Sequence, residues 1–312
     1  MPVDPQINAI LQLLASTGAP SLASGTPEEA RAAFRFTTVG MRDPSTLAEV
    51  GSIEDREIDG PGGRIPVRVY RPRSTGTAPT VVFFHGGGFV IGDIETHDDA
   101  CRLICRDVDA VVVSVDYRLA PEHKFPAGFE DCFAATRWAA AHIDALGGDP
   151  TRLAVAGDSA GGNFAAAVAL AARGTGIHLA AQLLIYPGVD FTDDDTHRSR
   201  IDNAEGYFLT AEDMQWFRGH YISDEHALDP RASVLHAEDV AGVAPAVVGV
   251  GEFDPLRDEG EAYAKKLSDA GVEVLLHRFD GMVHGFYGMG TISPAAAAAV
   301  QTLNADFRKL LG

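Results

Sequence analysis

Three cysteines in 312 residues leave no room for a disulfide framework. Cys101, Cys105 and Cys132 are few and odd in number, which points to a reducing compartment, the cytoplasm. Cys101 and Cys105 stand four apart on an expected helix with no histidine or cysteine grid around them, so they read as small buried residues. No Lys or Arg precedes Arg31, so the charged start of a secretory signal is missing. The apolar stretch Ile10–Ala15 is far too short to cross a bilayer, and no integral membrane association is expected. Basic residues are scarce, 25 against 44 acidic, for a net charge of −19. Such a surface repels nucleic acid and anionic lipid and otherwise serves solubility. No G-x-G-x-x-G precedes a strand and an acid, and there is no phosphate loop, so no organic cofactor is expected. His97, His123, His142, His178, His197, His220, His226, His236 and His277 are scattered singly without metal-ligand spacing, and no metal is expected.

What is present is a globular composition, 46% hydrophobic and 22% charged, long enough for one large core. From about residue 50 the chain alternates strand and helix patterns. Strands are expected at Gly51–Glu57, Ile65–Tyr70, Thr80–Phe84, Val111–Asp116, Leu153–Ala156, Ala181–Tyr186, Ala246–Gly251 and Val274–Phe279. Helices are expected at Thr96–Val108, Phe125–Leu146, Ala160–Arg173, Arg257–Ala270 and Pro294–Leu311. The inner strands are apolar on both faces, as in sheets covered on both sides. The first two follow one another without room for a helix and so pair antiparallel. The fold class is α/β, with a mixed, mainly parallel sheet of roughly eight strands. Residues 1–45 and 190–225 break the rhythm. The second segment follows a strand end, where insertions cover the ligand crevice of an open α/β sheet. The expected division is 1–45 as N-terminal cap helices, 190–225 as a cap insertion, and 46–189 with 226–312 as the catalytic domain.

Gly157-Asp158-Ser159-Ala160-Gly161 lies between an expected strand and an expected helix, the setting a nucleophile elbow requires. Asp158 and the glycines support the turn, and the helix N-terminus aims its dipole at a developing anion. His85-Gly86-Gly87-Gly88 follows the strand Thr80–Phe84. Its glycines let the backbone approach a substrate closely. The N–H groups of Gly86 and Gly87, with that of Ala160, are the expected oxyanion donors, supported by His85 and Gly88. His85 is expected to hold this loop in shape. Asp254 and His284 follow two later strands, so both can meet Ser159 at one edge of the sheet. The roles follow: Ser159 as nucleophile, His284 as base, Asp254 to orient the base. Glu252, Asp258 and Glu259 compete for the acid role, but Pro255 places Asp254 in a loop and Asp258 at a helix start.

These stretches, with Tyr117-Arg118-Leu119-Ala120-Pro121-Glu122, Asn163, Asp254–Gly260 and His284-Gly285-Phe286, resemble the hormone-sensitive-lipase-like esterases, the bacterial family IV branch of the α/β-hydrolases. The resemblance implies an α/β-hydrolase fold with a helical cap, a small-molecule carboxylic ester of short to medium acyl chain as substrate, and a homodimer. It gives Glu122 a structural role. The apolar edge strand Val274–Phe279 also suggests a dimer. Two other readings compete. A receptor on this scaffold would have lost the base, whereas Ser159, Asp254 and His284 are all present. An amidase, peptidase, lactonase or deacetylase would use the same machinery.

Overall fold

The computed structural model describes residues 2–17, 24–192 and 196–312. Its strands are β1 (Ser52–Gly60), β2 (Gly63–Arg71), β3 (Ala78–Phe84), β4 (Val111–Val115), β5 (Gly148–Asp158), β6 (Ala181–Ile185), β7 (Ala246–Phe253) and β8 (Val274–Val283). They form one sheet in the order β1-β2-β4-β3-β5-β6-β7-β8. β1 and β2 are an antiparallel hairpin and β2 runs antiparallel to β4, while the remaining neighbours are parallel. The chain thus has the expected eight-stranded, mostly parallel α/β sheet.

The helices are α1 (Pro5–Thr17), α2 (Pro27–Arg35), α3 (Asp98–Ile104), α4 (Ala127–Ala141), α5 (Ile143–Leu146), α6 (Ala160–Ala172), α7 (Arg198–Asp202), α8 (Ala211–Tyr221), α9 (Arg257–Asp269) and α10 (Pro294–Leu311). Side chains alternate across β3, and this builds two cores. Val82 and Phe84 join Phe129 and Cys132 of α4, Phe164 of α6 and Tyr263 of α9. Val81 and Phe83 face the other way, to Ile104 of α3 and Leu303 and Phe307 of α10. Each fully buried Phe or Leu contributes roughly 1.5–3 kcal/mol, so the parallel centre of the sheet is the most firmly held part of the molecule.

Three elements differ from the sequence reading. The helix expected over Thr96–Val108 begins at Asp98 and passes into a π-helical turn, Cys105–Asp109. The helix expected over Phe125–Leu146 breaks at His142, whose backbone leaves the helical basin at φ −116° and ψ 17°. The Nδ1 of His142 bonds the Trp138 carbonyl there. The short helix α7 carries no apolar periodicity and was not foreseen. By contrast, α8 carries a signal in its sequence: it is opened by a capping box in which Thr210 and Asp213 satisfy each other's backbone N–H groups.

Candidate active site

The nucleophile turn is dictated by close backbone contacts. β5 ends at Asp158, and α6 starts at Ala160. Ser159 between them adopts φ 54°, ψ −116°, a region costing on the order of 1–3 kcal/mol for a residue with a side chain. A Cβ on Gly157 would come within 2.2 Å of the Gly161 carbonyl oxygen, and one on Gly161 within 1.9 Å of the Phe84 carbonyl oxygen. No larger residue fits at either position. The result is a serine side chain lifted off the end of the sheet, with the first N–H groups of α6 beside it.

The chain from acid to serine is continuous. The imidazole of His284, just beyond β8, contacts Ser159 Oγ through Nε2 at 2.9 Å. Its Nδ1 contacts Asp254 Oδ2 at 2.8 Å. Asp254 is fully buried, and its other oxygen accepts the Leu256 N–H at 2.8 Å. The competing acids are occupied elsewhere. Glu252 accepts the Gly281 N–H, Asp258 accepts the Ser199 N–H, and Glu259 pairs with Arg200. Tyr186, absent from the sequence reading, packs its ring 4.6 Å from that of His284.

The glycine loop requires one correction. The Gly86 N–H, expected as an oxyanion donor, instead donates to Asp158 Oδ1 at 2.9 Å. A carboxylate next to the nucleophile outcompetes any transient oxyanion for that proton. Among the described residues, the N–H groups of Gly87 and Gly88 meet no acceptor. Both residues have positive φ, 118° and 56°. A Cβ on Gly88 would strike the Phe217 ring at 2.2 Å.

His85 stacks on Tyr117 and donates from Nδ1 to the Gly86 carbonyl, while the Tyr117 hydroxyl donates to the His85 carbonyl. Burial and the neighbouring His97 push its imidazole down to about 4, so it stays neutral. His97, one of the scattered histidines of the sequence reading, sits with Nε2 3.5 Å from Asp158 Oδ1. Burial opposes its positive charge, but the Asp158 carboxylate outweighs burial and raises it.

A cavity of about 730 Å3 opens over Ser159 and His284. Of the aromatic and apolar residues in the two atypical segments, Phe34, Phe191, Phe208, Leu209, Met214 and Phe217 line it. Phe36 is exposed, Tyr207 stacks on Phe253, and Tyr221 is buried against Phe89. α1 lies elsewhere: Ile7 joins the core of α3 and α10. The charged stretch 193–195 of the insertion lies outside the described residues. Arg198 and Asp202 are exposed as their polarity suggests, but Arg200 turns inward, with Nε and Nη2 at 2.9 and 2.6 Å from the buried Glu259.

The same cavity is lined by Asp190 and His197, a buried pair 2.8 Å apart, with His236 3.0 Å from the other Asp190 oxygen. Burial pushes the Asp190 carboxyl up, but hydrogen bonds from His197, Thr192 and His236 outweigh it and hold the carboxyl well below the usual range. The bond to Asp190 raises the His197 imidazole against the cost of its burial. A lowered acid stabilises the fold above its ordinary pKa, about 3.9, and loses this as pH falls through its folded value. A raised histidine stabilises below about 6.5 and loses this as pH rises through its folded value. The pair therefore contributes most between those limits. Asp190→Asn is expected to melt below wild type by the widest margin near about pH 6, the margin narrowing toward about pH 9. A margin independent of pH in thermal melts contradicts this.

Comparison with known proteins agrees with this geometry. A family model described as an α/β-hydrolase fold matches residues 81–288. The chain is 44% identical to a carboxylic ester hydrolase, LipN, of Mycobacterium tuberculosis over 286 residues, 89% of this chain and 75% of that protein. It is 36% identical to an arylesterase of Saccharolobus solfataricus, covering 99% of this chain and all of that one. Its fold superposes on a hyperthermophilic esterase from Pyrobaculum calidifontis with a TM-score of 0.94 at 43% identity, covering 99% of both chains. Among the described residues no helix is long and apolar enough to cross a membrane. The chain belongs to the α/β-hydrolase family, in its hormone-sensitive-lipase-like branch, among the serine hydrolases that cleave carboxylic esters.

Proposed function

We propose that the chain hydrolyses carboxylic esters of short to medium acyl chain through an acyl-enzyme on Ser159. The observation that carries this reading is the hydrogen-bond chain Asp254–His284–Ser159 at the floor of the cavity. Ser159 Oγ attacks the ester carbonyl as His284 Nε2 takes its proton. Asp254 holds the imidazole in the tautomer that leaves Nε2 free and stabilises the imidazolium. The tetrahedral oxyanion is received by the N–H groups of Gly87, Gly88 and Ala160, each such donor being worth roughly 2.7–4 kcal/mol. The imidazolium then protonates the departing alcohol, and water repeats the sequence to release the acid.

The two atypical segments act as the cap in this reading, with α2 supplying Phe34 and the insertion supplying Phe191, Phe208, Leu209, Met214 and Phe217 to the lining. Each buried methylene contributes about 0.8 kcal/mol, roughly fourfold in rate, until the cavity is filled. Against a series of p-nitrophenyl esters, kcat/KM is expected to peak between about four and eight acyl carbons. A steady rise to long chains with activation at a lipid interface would instead identify a lipase. Phe36 and Met41, 65% and 69% exposed, make that outcome worth measuring.

Three free, buried cysteines and the acidic surface support a cytoplasmic enzyme. Homodimerisation through the edge strand β8, where Leu276 is exposed, completes the proposal. Light scattering that finds a monomer at micromolar concentration removes it.

A further inference from the structure

The insertion touches the catalytic acid as well as covering the cavity. Ser199 of α7 is fully buried. Its hydroxyl donates to the Pro255 carbonyl at 2.8 Å and accepts the Asp258 N–H at 3.1 Å. Its own N–H donates to Asp258 Oδ2 at 2.7 Å. Asn203, one turn on and also buried, donates from Nδ2 to the Asp254 carbonyl at 3.1 Å. Arg200 between them forks onto Glu259. Three residues of the insertion therefore hold the backbone of Asp254 and Pro255 and both carboxylates at the start of α9. Breaking one of these buried bonds costs the desolvation of the polar group left without its partner.

We infer that Ser199 and Asn203 are positioning residues for the reaction: through the turn Asp254–Asp258 they fix the carboxylate that orients His284. This rests on the reading of Asp254 as the orienting acid. The physical reason is distance. Asp254 Oδ2 lies 2.8 Å from His284 Nδ1, on a loop whose backbone carbonyl is tied to the insertion on the outside. A shift of about 1 Å at a reacting group costs on the order of 10²-fold in rate. Residues 199–203 are thus the part of the insertion tied to the acid turn.

The test compares Asn203→Ala, Ser199→Ala, Ser199→Thr and Arg198→Ala on p-nitrophenyl butyrate. Rates are expressed per site titrated with an organophosphonate, so any loss of folded protein does not count. The two alanine variants are expected to lose kcat by about 10 to 10²-fold with KM nearly unchanged. Their acid limb of kcat/KM should also move to lower pH, because a displaced carboxylate supports the imidazolium less. Ser199→Thr, which restores the hydroxyl, should recover most of kcat. Arg198, exposed on the same helix and paired with Asp202, should be replaceable without effect on kcat or pH profile. Full kcat per titrated site and an unmoved pH profile in both alanine variants overturns the inference. An Asp254→Asn variant with near-wild-type kcat would instead overturn the reading beneath it.

Discussion

Ser159→Ala is expected to leave a folded protein with kcat about 10⁶-fold lower. The size follows from the chain of contacts. Without Oγ, His284 Nε2 has no proton to take, and the covalent route is closed however well the cavity binds. The residual rate over water comes from the N–H groups around the cavity floor and from binding, which the substitution spares. The fold should survive because the serine side chain contributes nothing to the turn: its strained φ of 54° is held by β5, α6 and the bond from its own N–H to the Ile185 carbonyl. Alanine relieves none of that strain and adds no atom. Circular dichroism unchanged, activity lost and organophosphonate labelling abolished is the combined result. Labelling that persists at another serine would move the nucleophile elsewhere.

Asp254→Asn is expected to lower kcat by about 10⁴-fold. Asparagine keeps the shape and can still receive the Leu256 N–H on its oxygen. The group facing Nδ1 then becomes an amide donor, which favours the tautomer with the proton on Nε2, pointing at Ser159. The base is disabled without being removed. Glu252→Gln, by contrast, should cost less than about tenfold, since Glu252 serves the β8 turn at Gly281. Parallel kinetics of the two variants decides the acid; comparable losses would leave Asp254 without its special role.

The sequence made the elbow, the glycine loop and the late Asp and His legible because each is a short motif at the end of an apolar strand. Backbone geometry at such places admits few residues, as Gly157 and Gly161 show. It misassigned Gly86 because a glycine run offers three similar N–H groups, and only the fold brings Asp158 against the first of them. His97 was unreadable for a related reason: its partner Asp158 is far away in a chain where nothing marks the pair. Nothing in the sequence marks Arg200 as buried, because a salt-bridged arginine inside and a solvated one outside look the same in one dimension. Nor does the sequence tell which aromatic residues of the insertion line the cavity, since Tyr207 and Tyr221 pack the segment down instead.

The contact of Gly161 with the Phe84 carbonyl has a consequence for how such an enzyme diversifies. Strand β3 carries the glycine loop and α6 carries the elbow, and here their backbones touch with no side chain between them. The Gly86–Asp158 bond crosses the same seam a few residues on. The two halves of the machinery that handle the reacting carbonyl are therefore in direct backbone contact. The cavity lining from Phe34 and from residues 208–217, which sets selectivity in the proposed function, lies outside that contact. Lineages can accordingly exchange or lengthen residues 204–221 to take new esters while inheriting the chemistry untouched, provided the short stretch 199–203 travels with the acid it holds.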